Sequence, residues 1–245
     1  MQIDINCDLG EGFPEDARLM PFISSANIAC GAHAGNDDLM RATAELAMQH
    51  QVQIGAHPGY QDRNNFGRTE QSLSAAALYD LITMQVHRMK QITDDLGGIL
   101  HHVKPHGALY NLSARSMETA ATIARAVYDV DPTLYLYGLS GSCSIMAAKA
   151  VGLPTRQEVF ADRRYDDNGQ LLSRKHAEAL ITNHDIACQH VLQMIRQQTI
   201  SSLSAKIIPV VAETICIHGD TAGASALAAH LFYFLNEHDI QLLRK

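Results

Sequence analysis

The sequence predicts an α/β protein, and three features of the chain lead to that class. Short β-rich runs recur along it, each followed by a stretch of helical periodicity. The runs are continuously or nearly continuously apolar, as strands buried on both faces of a parallel sheet are. Almost every run ends in a side chain capable of chemistry, and in α/β folds the carboxyl ends of parallel strands gather on one side, where ligands bind. The 245 residues suit a single α/β domain over 1–245, because α/β barrels reach about 250 residues as one unit. Periodicity alone leaves a closed barrel and an open doubly wound sheet equally open.

The elements follow in order. A first strand at 2–7 (QIDINC) leads to Asp8. A second at 26–30 (ANIAC) leads to His33, and Asn36 then caps a helix whose first turn carries Asp37 and Asp38 and whose apolar face is Leu39, Ala42, Leu46 and Ala47. A third at 52–56 (VQIGA) closes on His57 and opens a long irregular stretch, 57–73. The segment 74–96 repeats Leu78, Ile82, Val86, Met89 and Leu96 at helical spacing, and Gly97-Gly98 ends it. The fourth strand, 99–104 (ILHHVK), closes on Lys104 and His106, and Ser116 opens a helix through Ile123, Ala124 and Val127. The fifth, 133–137 (TLYLY), precedes Ser140 and Ser142, the latter opening a helix through Ile145 and Met146. The sixth, 156–160 (RQEVF), leads to Asp162 and Arg163 and a second irregular stretch, 161–176. Asn183 opens a helix through Val191, Met194 and Ile195. The seventh strand, 213–218 (ETICIH), brings His218 and Asp220, and a last helix runs from about 221 with Leu227, Ala228, Leu231, Phe234 and Leu235 inward.

Composition excludes several classes. With 19 basic and 26 acidic residues the net charge is 19 − 26 = −7, whereas a nucleic-acid groove needs a basic face. Absence of Trp and a 6% aromatic content weaken base stacking as well. No apolar run reaches the ~20 residues of a membrane helix, and the N-terminus lacks a signal-peptide pattern. Five scattered Cys with no C-x-x-C fit reduced thiols in a cytoplasmic protein.

Taken singly, each strand-end residue has an ordinary structural role open to it: Asp8 suits a turn cap, and a lone His suits a satisfied hydrogen bond. Independent structural roles would not favour the same end of every strand, so the set favours a site. Asp8, His33 and His57 form a plausible metal trio, since two imidazoles and one carboxylate suit a catalytic divalent ion with an open position. The same residues suit metal-free chemistry, a carboxylate orienting an imidazole that acts as general base. Lys104 stands where a developing oxyanion could be stabilised, with an ion pair as the equal alternative. Arg63, Arg68, Arg163 and Arg164 are candidate clamps for a carboxylate or phosphate. The run Gly138-Leu139-Ser140-Gly141-Ser142 could cradle an anion at a helix N-terminus, yet it is not a Walker A sequence and lacks the G-x-S-x-G elbow.

Six segments then become specific: NCDLGEG (6–12), SSANIACGAHAG (24–35), IGAHPGYQDRNNFGR (54–68), HVKPHGALYN (102–111), EVFADRRY (158–165) and ETICIHGD (213–220). In order and spacing they resemble the LamB/YcsF family across nearly the whole chain. The resemblance implies a seven-stranded parallel β/α barrel related to the glycoside hydrolase/deacetylase fold. It also implies the A subunit of an ATP-dependent 5-oxoprolinase, working with partner subunits B and C to open the lactam of 5-oxo-L-proline to L-glutamate as ATP becomes ADP and phosphate. By matching position Asp8, Glu11, His33, His57, Asp62, Arg68, Lys104, His106, Asp162, Arg163, His218 and Asp220 fall in the family's motifs. Of these, Asp8, His33, His57, Lys104, His106 and His218 are expected to be catalytic, and Glu11, Asp62, Arg68, Asp162, Arg163 and Asp220 substrate-binding. Where the family has Asp after the Gly of the second motif, this chain has Asn36 followed by Asp37; Asn36 keeps a capping oxygen and loses the charge. Two rival readings remain: a metal-dependent deacetylase or amidohydrolase acting without ATP, and a non-catalytic substrate-binding subunit.

Overall fold

A computed structural model describes residues 1–220 and 223–244. It resolves the choice that periodicity left open. The strands β1 (Gln2–Leu9), β2 (Ser25–Ala29), β3 (Gln53–His57), β4 (Leu100–Val103), β5 (Tyr135–Leu139) and β6 (Thr155–Phe160) pair in parallel. A separate antiparallel hairpin of β7 (Thr199–Ser201) and β8 (Ile207–Pro209) comes next in the chain. Beyond it, β9 (Thr214–Ile217) joins β6 in parallel. β9 then pairs back onto β1, with Asp4 opposite Thr214 and Asn6 opposite Cys216, so the seven strands close into a barrel. After a single turn, α1 (Asp16–Leu19), the longer helices surround the barrel: α2 (Asp37–Gln49), α3 (Ala75–Asp95), α4 (Gly107–Arg115), α5 (Met117–Val130), α6 (Cys143–Val151), α7 (His184–Gln197) and α8 (Ala224–Glu237). α3 packs on α5, α5 on α6 and α7 on α8. Among the described residues, no helix is long and apolar enough to cross a membrane.

Strand β1 explains the two-layer logic. Ile3, Ile5, Cys7 and Leu9 are buried in the apolar core, while the alternate positions Asp4, Asn6 and Asp8 bond across the barrel lumen, as the two-residue period of a strand requires. Barrel interiors are usually filled by branched aliphatic layers; this one is filled by hydrogen bonds. Asp4 accepts from Ser24 at 2.8 Å and Ser25 at 2.7 Å. Asn6 donates to Glu158 at 2.8 Å and Thr214 at 2.7 Å, Asn27 donates to Asn6 and Asp8 at 2.8 Å each, and His102 contacts Asn27 at 2.8 Å. The His102 ring fits only because residue 55 is glycine: a Cβ there would stand 2.1 Å from His102 Nε2.

Where the structure departs from the periodicity, local bonds supply the reason. Strand five begins at Tyr135, not Thr133, because the Asp131 side chain accepts from Thr133 N at 2.9 Å and Thr133 Oγ1 at 2.7 Å and holds that residue in a turn. Helix α4, directly after Pro105-His106, was hidden inside a motif segment. The β7–β8 hairpin, and β10 (Gln241–Leu242) beside the start of β1, were also not anticipated. The last helix begins at Ala224 among the described residues, and its expected start at 221 lies outside them.

Candidate active site

The carboxyl ends of the barrel strands bring together Asp8 and Glu11 from β1 and its turn, His33 after β2, His57 at the end of β3, Lys104 and His106 after β4, and His218 after β9. All are buried; the Glu11 side chain is 3% exposed. Gly67, at φ +63°, lets the loop before α3 press on this cluster, because a Cβ there would meet both His33 and His106 at 2.9 Å.

The hydrogen positions on two imidazoles follow from their partners. His57 Nδ1 lies 2.7 Å from the Lys104 carbonyl, and His106 Nε2 lies 2.8 Å from the Phe66 carbonyl. A carbonyl oxygen only accepts, so those nitrogens carry the hydrogens. His57 Nε2 and His106 Nδ1 therefore present lone pairs to each other across 2.9 Å. Lone pairs at that separation repel unless a proton or a metal cation lies between them. Glu11 Oε1 stands beside the pair, 3.4 Å from His106 Nδ1 and 3.3 Å from His33 Nε2.

The donor atoms of Glu11, His33, His57 and His106 all lie within 4.8 Å of one another. Three imidazoles and a carboxylate are a donor set suited to a first-row divalent ion, and His33 Nδ1 is a further buried nitrogen without a partner. This tetrad differs from the expected trio by taking Glu11 and His106 in place of Asp8. The reason is that Asp8 Oδ1 is already held by Lys104 at 2.9 Å and Asn27 at 2.8 Å, although Asp8 Oδ2 remains 3.4 Å from His57 Nε2.

Charge states differ sharply across the cluster. Burial, then His57, push His33 down to about 2, and burial with His57 and His33 pushes His106 well below its ordinary range. The two rings are neutral at pH 7 and stack at 3.7 Å between centroids. Burial raises the Asp8 carboxyl, but His57 and Lys104 outweigh it and hold the group well below the usual carboxylate range. Burial raises Glu11 well above that range, and Asp8 and Asp220 add to the effect.

Lys104 is the cation at the centre of the lumen. Burial would lower its pKa, yet Asp8, Cys216 and Glu158 raise it well above the lysine value. The Cys216 thiol is itself raised by burial and stays neutral near pH 7, so Asp8 and Glu158 supply the effect there. Nζ contacts Asp8 at 2.9 Å, Glu158 at 3.0 Å, Asn6 at 3.2 Å and Cys216 Sγ at 3.0 Å. An ammonium has three N–H groups, and these contacts engage them all, leaving no spare donor for the oxyanion expected there.

On the other side of Asp8, His218 Nδ1 donates to both Asp162 oxygens, at 2.9 and 3.0 Å. Burial raises Asp162, but His218 overcomes it and the carboxyl is lowered. Asp162 thereby fixes the tautomer and leaves His218 Nε2 as a lone pair, while a ligand atom of His218 lies within 4.8 Å of one from Asp8 and one from Cys216.

The remaining expected residues separate by location. Arg68 and Asp220 meet at the rim of the barrel, joined by Arg174, whose Nη1 is 3.4 Å from Asp220 Oδ2. Arg163 is buried and donates to the Leu172 carbonyl. Asp62 caps the turn Arg63–Asn65, accepting from Asn65 Nδ2 at 2.8 Å. Arg63 donates to the carbonyls of Gly31 and Gly35. The Gly138–Ser142 run holds no vacant cradle, because Gly141 N already donates to Gln157 Oε1 at 3.0 Å. Asn36 is the helix cap, its Oδ1 accepting from Leu39 N at 2.9 Å, and Asp37 pairs with Arg88 on the surface. A cleft of about 750 Å³ behind the β2 loop is lined by Cys30, Leu81, Met84 and Arg88 and by none of the clustered side chains. The sequence reading missed Asn6, Asn27, Glu158 and Arg174. The alternating polar positions of DINCD carried a signal for Asn6.

Residues 3–244 match the LamB/YcsF family. The 5-oxoprolinase A subunit of Staphylococcus carnosus (strain TM300) is 43% identical, covering 100% of this chain and 99% of the relative. That of Shouchella clausii (strain KSM-K16) is 47% identical, covering 97% and 96%. The crystal structure of a lactam utilization protein from Thermus thermophilus superposes at a TM-score of 0.93 with 35% identity over 100% of both chains. The T48 deacetylase, 13% identical at a TM-score of 0.53 over 99% of this chain and 87% of its own, shares the fold alone. Matched from its third residue to its penultimate one, and similar along its whole length to proteins named as 5-oxoprolinase A subunits, the chain belongs to the LamB/YcsF family.

Proposed function

We propose that this chain is the A subunit of an ATP-dependent 5-oxoprolinase, which opens 5-oxo-L-proline to L-glutamate with partner subunits B and C as ATP is hydrolysed to ADP and phosphate. One observation carries the reading: an ionised, buried Asp8 lies between His57 and the Asp162-oriented His218 at the barrel mouth. It does so in a chain 43% identical over its whole length to a protein named as the A subunit of 5-oxoprolinase.

A five-membered lactam is a resonance-stabilised amide, and its carbonyl carbon is a poor electrophile. Transfer of a phosphoryl group from ATP to the carbonyl oxygen, a step this reading assigns to the complex, activates that carbon. Water then adds to it, and Asp8 takes the proton that water releases. That proton passes from Asp8 to His218 Nε2, whose Nδ1–H is held by Asp162, and on to the ring nitrogen as the C–N bond breaks. The acyl phosphate so formed takes up a second water and is released as L-glutamate and phosphate. A divalent ion bound by Glu11, His33, His57 and His106 would supply Lewis acidity toward the carbonyl. Arg68 at the rim is the partner of the substrate carboxylate.

The test is glutamate formation from 5-oxo-L-proline and ATP by the three-subunit complex, with each subunit omitted in turn. Asp8→Asn should lower turnover by about 10²-fold or more, assayed well below a melting temperature that itself falls because Lys104 loses a buried counter-charge. Near-normal turnover of that variant, or glutamate production by the partners alone, rejects the proposal. The tetrad favours one second reading, metal-dependent amide hydrolysis; it predicts chelator-sensitive activity of the isolated chain without ATP.

A further inference from the structure

At the rim, two guanidiniums share a carboxylate of the protein itself. Asp220 Oδ2 accepts from Arg68 Nη2 and faces Arg174 Nη1 at 3.4 Å. The two guanidiniums arrive from separate segments, Arg68 from the loop before α3 and Arg174 from the excursion between β6 and α7. Arg68 is seated on the Phe66 ring at 4.9 Å. Arg174 makes no other ion pair among the described residues.

The charges do not balance. Two guanidiniums share one carboxylate, which leaves one positive charge over. Arg163 adds a third cation close enough for its charge and that of Arg174 to act on each other. Its Nε is buried without a partner, and the Asp162 carboxylate acts on both Arg163 and Arg174, so three guanidiniums face two carboxylates and one positive charge is left over. A surplus of positive charge at the mouth of a chain whose net charge is −7 calls for an anion. The fork also adjoins the histidine cluster, because Asp220 and Arg68 both act on the ionisation of Glu11.

We infer that Arg68 and Arg174 form a two-armed clamp for the substrate carboxylate, and that Asp220 is an internal placeholder which this carboxylate displaces. The inference rests on the function proposed above and deepens it by assigning specificity to Arg174. Planar guanidinium forks match carboxylates with two parallel hydrogen bonds. The Asp220 side chain is 12% exposed, so it can turn to water when the ligand arrives. A plain lactam that lacks the carboxylate cannot displace it.

The experiment compares 5-oxo-L-proline with 2-pyrrolidinone, the same ring without the carboxylate. Calorimetric binding to the full chain and KM in the three-subunit complex are both measured. Arg174→Ala should weaken 5-oxo-L-proline roughly ten- to hundredfold and leave 2-pyrrolidinone and kcat essentially unchanged. Arg174→Lys, which keeps the charge and loses the fork, should fall between. Asp220→Asn should bind 5-oxo-L-proline as tightly as wild type or more tightly, because the competing charge is gone. The clamp is overturned if Arg174→Ala weakens both lactams equally or neither, or if Asp220→Asn weakens 5-oxo-L-proline as much as Arg174→Ala does. Matched melting temperatures separate these outcomes from misfolding. If the wild-type complex makes no glutamate, the functional proposal fails, and the calorimetric contrast between the two lactams still decides the clamp.

Discussion

Replacing Lys104 with Met tests the electrostatics of the lumen and leaves the side-chain volume nearly unchanged. The ammonium is 2% exposed and bonds Asp8 at 2.9 Å and Glu158 at 3.0 Å. Asp4, Asp8 and Glu158 are the acidic groups of the lumen network, and Lys104 is its ammonium. Breaking a buried pair from one side costs about 3–5 kcal/mol, because the abandoned carboxylates stay desolvated. At roughly 2–4 °C per kcal/mol for a chain of this size, the melting temperature should drop by about 6–20 °C at pH 7. The pH dependence carries a definite sign. In the wild type Asp8 is depressed, so its contribution is complete above the unfolded carboxyl value near 4 and is lost as pH falls through the folded value. Lys104 is raised, so its contribution is complete below the unfolded value near 10.4 and is lost only as pH climbs through the folded one. The pair is therefore level between about pH 5 and 9. In the variant Asp8 loses its counter-charge and takes up a proton more easily, so the penalty should shrink from pH 7 to pH 5. Urea unfolding across that range reads it directly. Adding Glu158→Gln should recover part of the loss, since one of the stranded charges goes with it. A penalty under about 1 kcal/mol, or one independent of pH, refutes the assignment of Lys104 as the lumen's counter-ion.

Two further outcomes follow from backbone and capping. Gly55→Ala would drive a methyl to 2.1 Å from His102 Nε2 and should cost about 1–3 kcal/mol or more, read by thermal unfolding, with His102→Ala restoring much of it in the double variant. Asn36→Ala removes the cap of α2 and should cost about 1 kcal/mol with no change in kcat, whereas a large fall in turnover would mean that residue 36 serves the chemistry.

Much of the site was legible because the carboxyl ends of parallel strands must converge: Asp8, His57, Lys104 and His218 needed only the right strand count and direction to share one mouth. Glu11 was legible only as a motif position. Its side chain enters the histidine cluster through a turn at Gly10, which strand periodicity does not reach. Glu158, Asn27 and His102 were hidden for another reason. A hydrophobicity pattern reports how much of a strand is buried, not whether its inner face meets aliphatic or hydrogen-bonded neighbours, and this lumen is polar. Arg174 had no signal at all, since an arginine in a long excursion becomes a site residue only through its partner Asp220.

Two carboxyl groups three positions apart illustrate how the fold divides labour. Asp8 lies on β1 with an ammonium, an amide and an imidazole around it, and stays ionised. Glu11 has passed the turn into a pocket walled by neutral imidazoles, where burial favours its protonated form. Carboxyls whose environments push their ionisation apart are the arrangement from which acid and base roles are drawn. The facing lone pairs of His57 and His106 require one positive charge between them, and Glu11, 3.4 Å from His106, stands where its carboxylate form would balance that charge. Whether the charge is a proton or a divalent ion, it strengthens the field that keeps Asp8 ionised through His57. The proposed base is thus set by the same residues that form the cation site, and a substitution in the tetrad should change the acidity of Asp8 before it changes the fold.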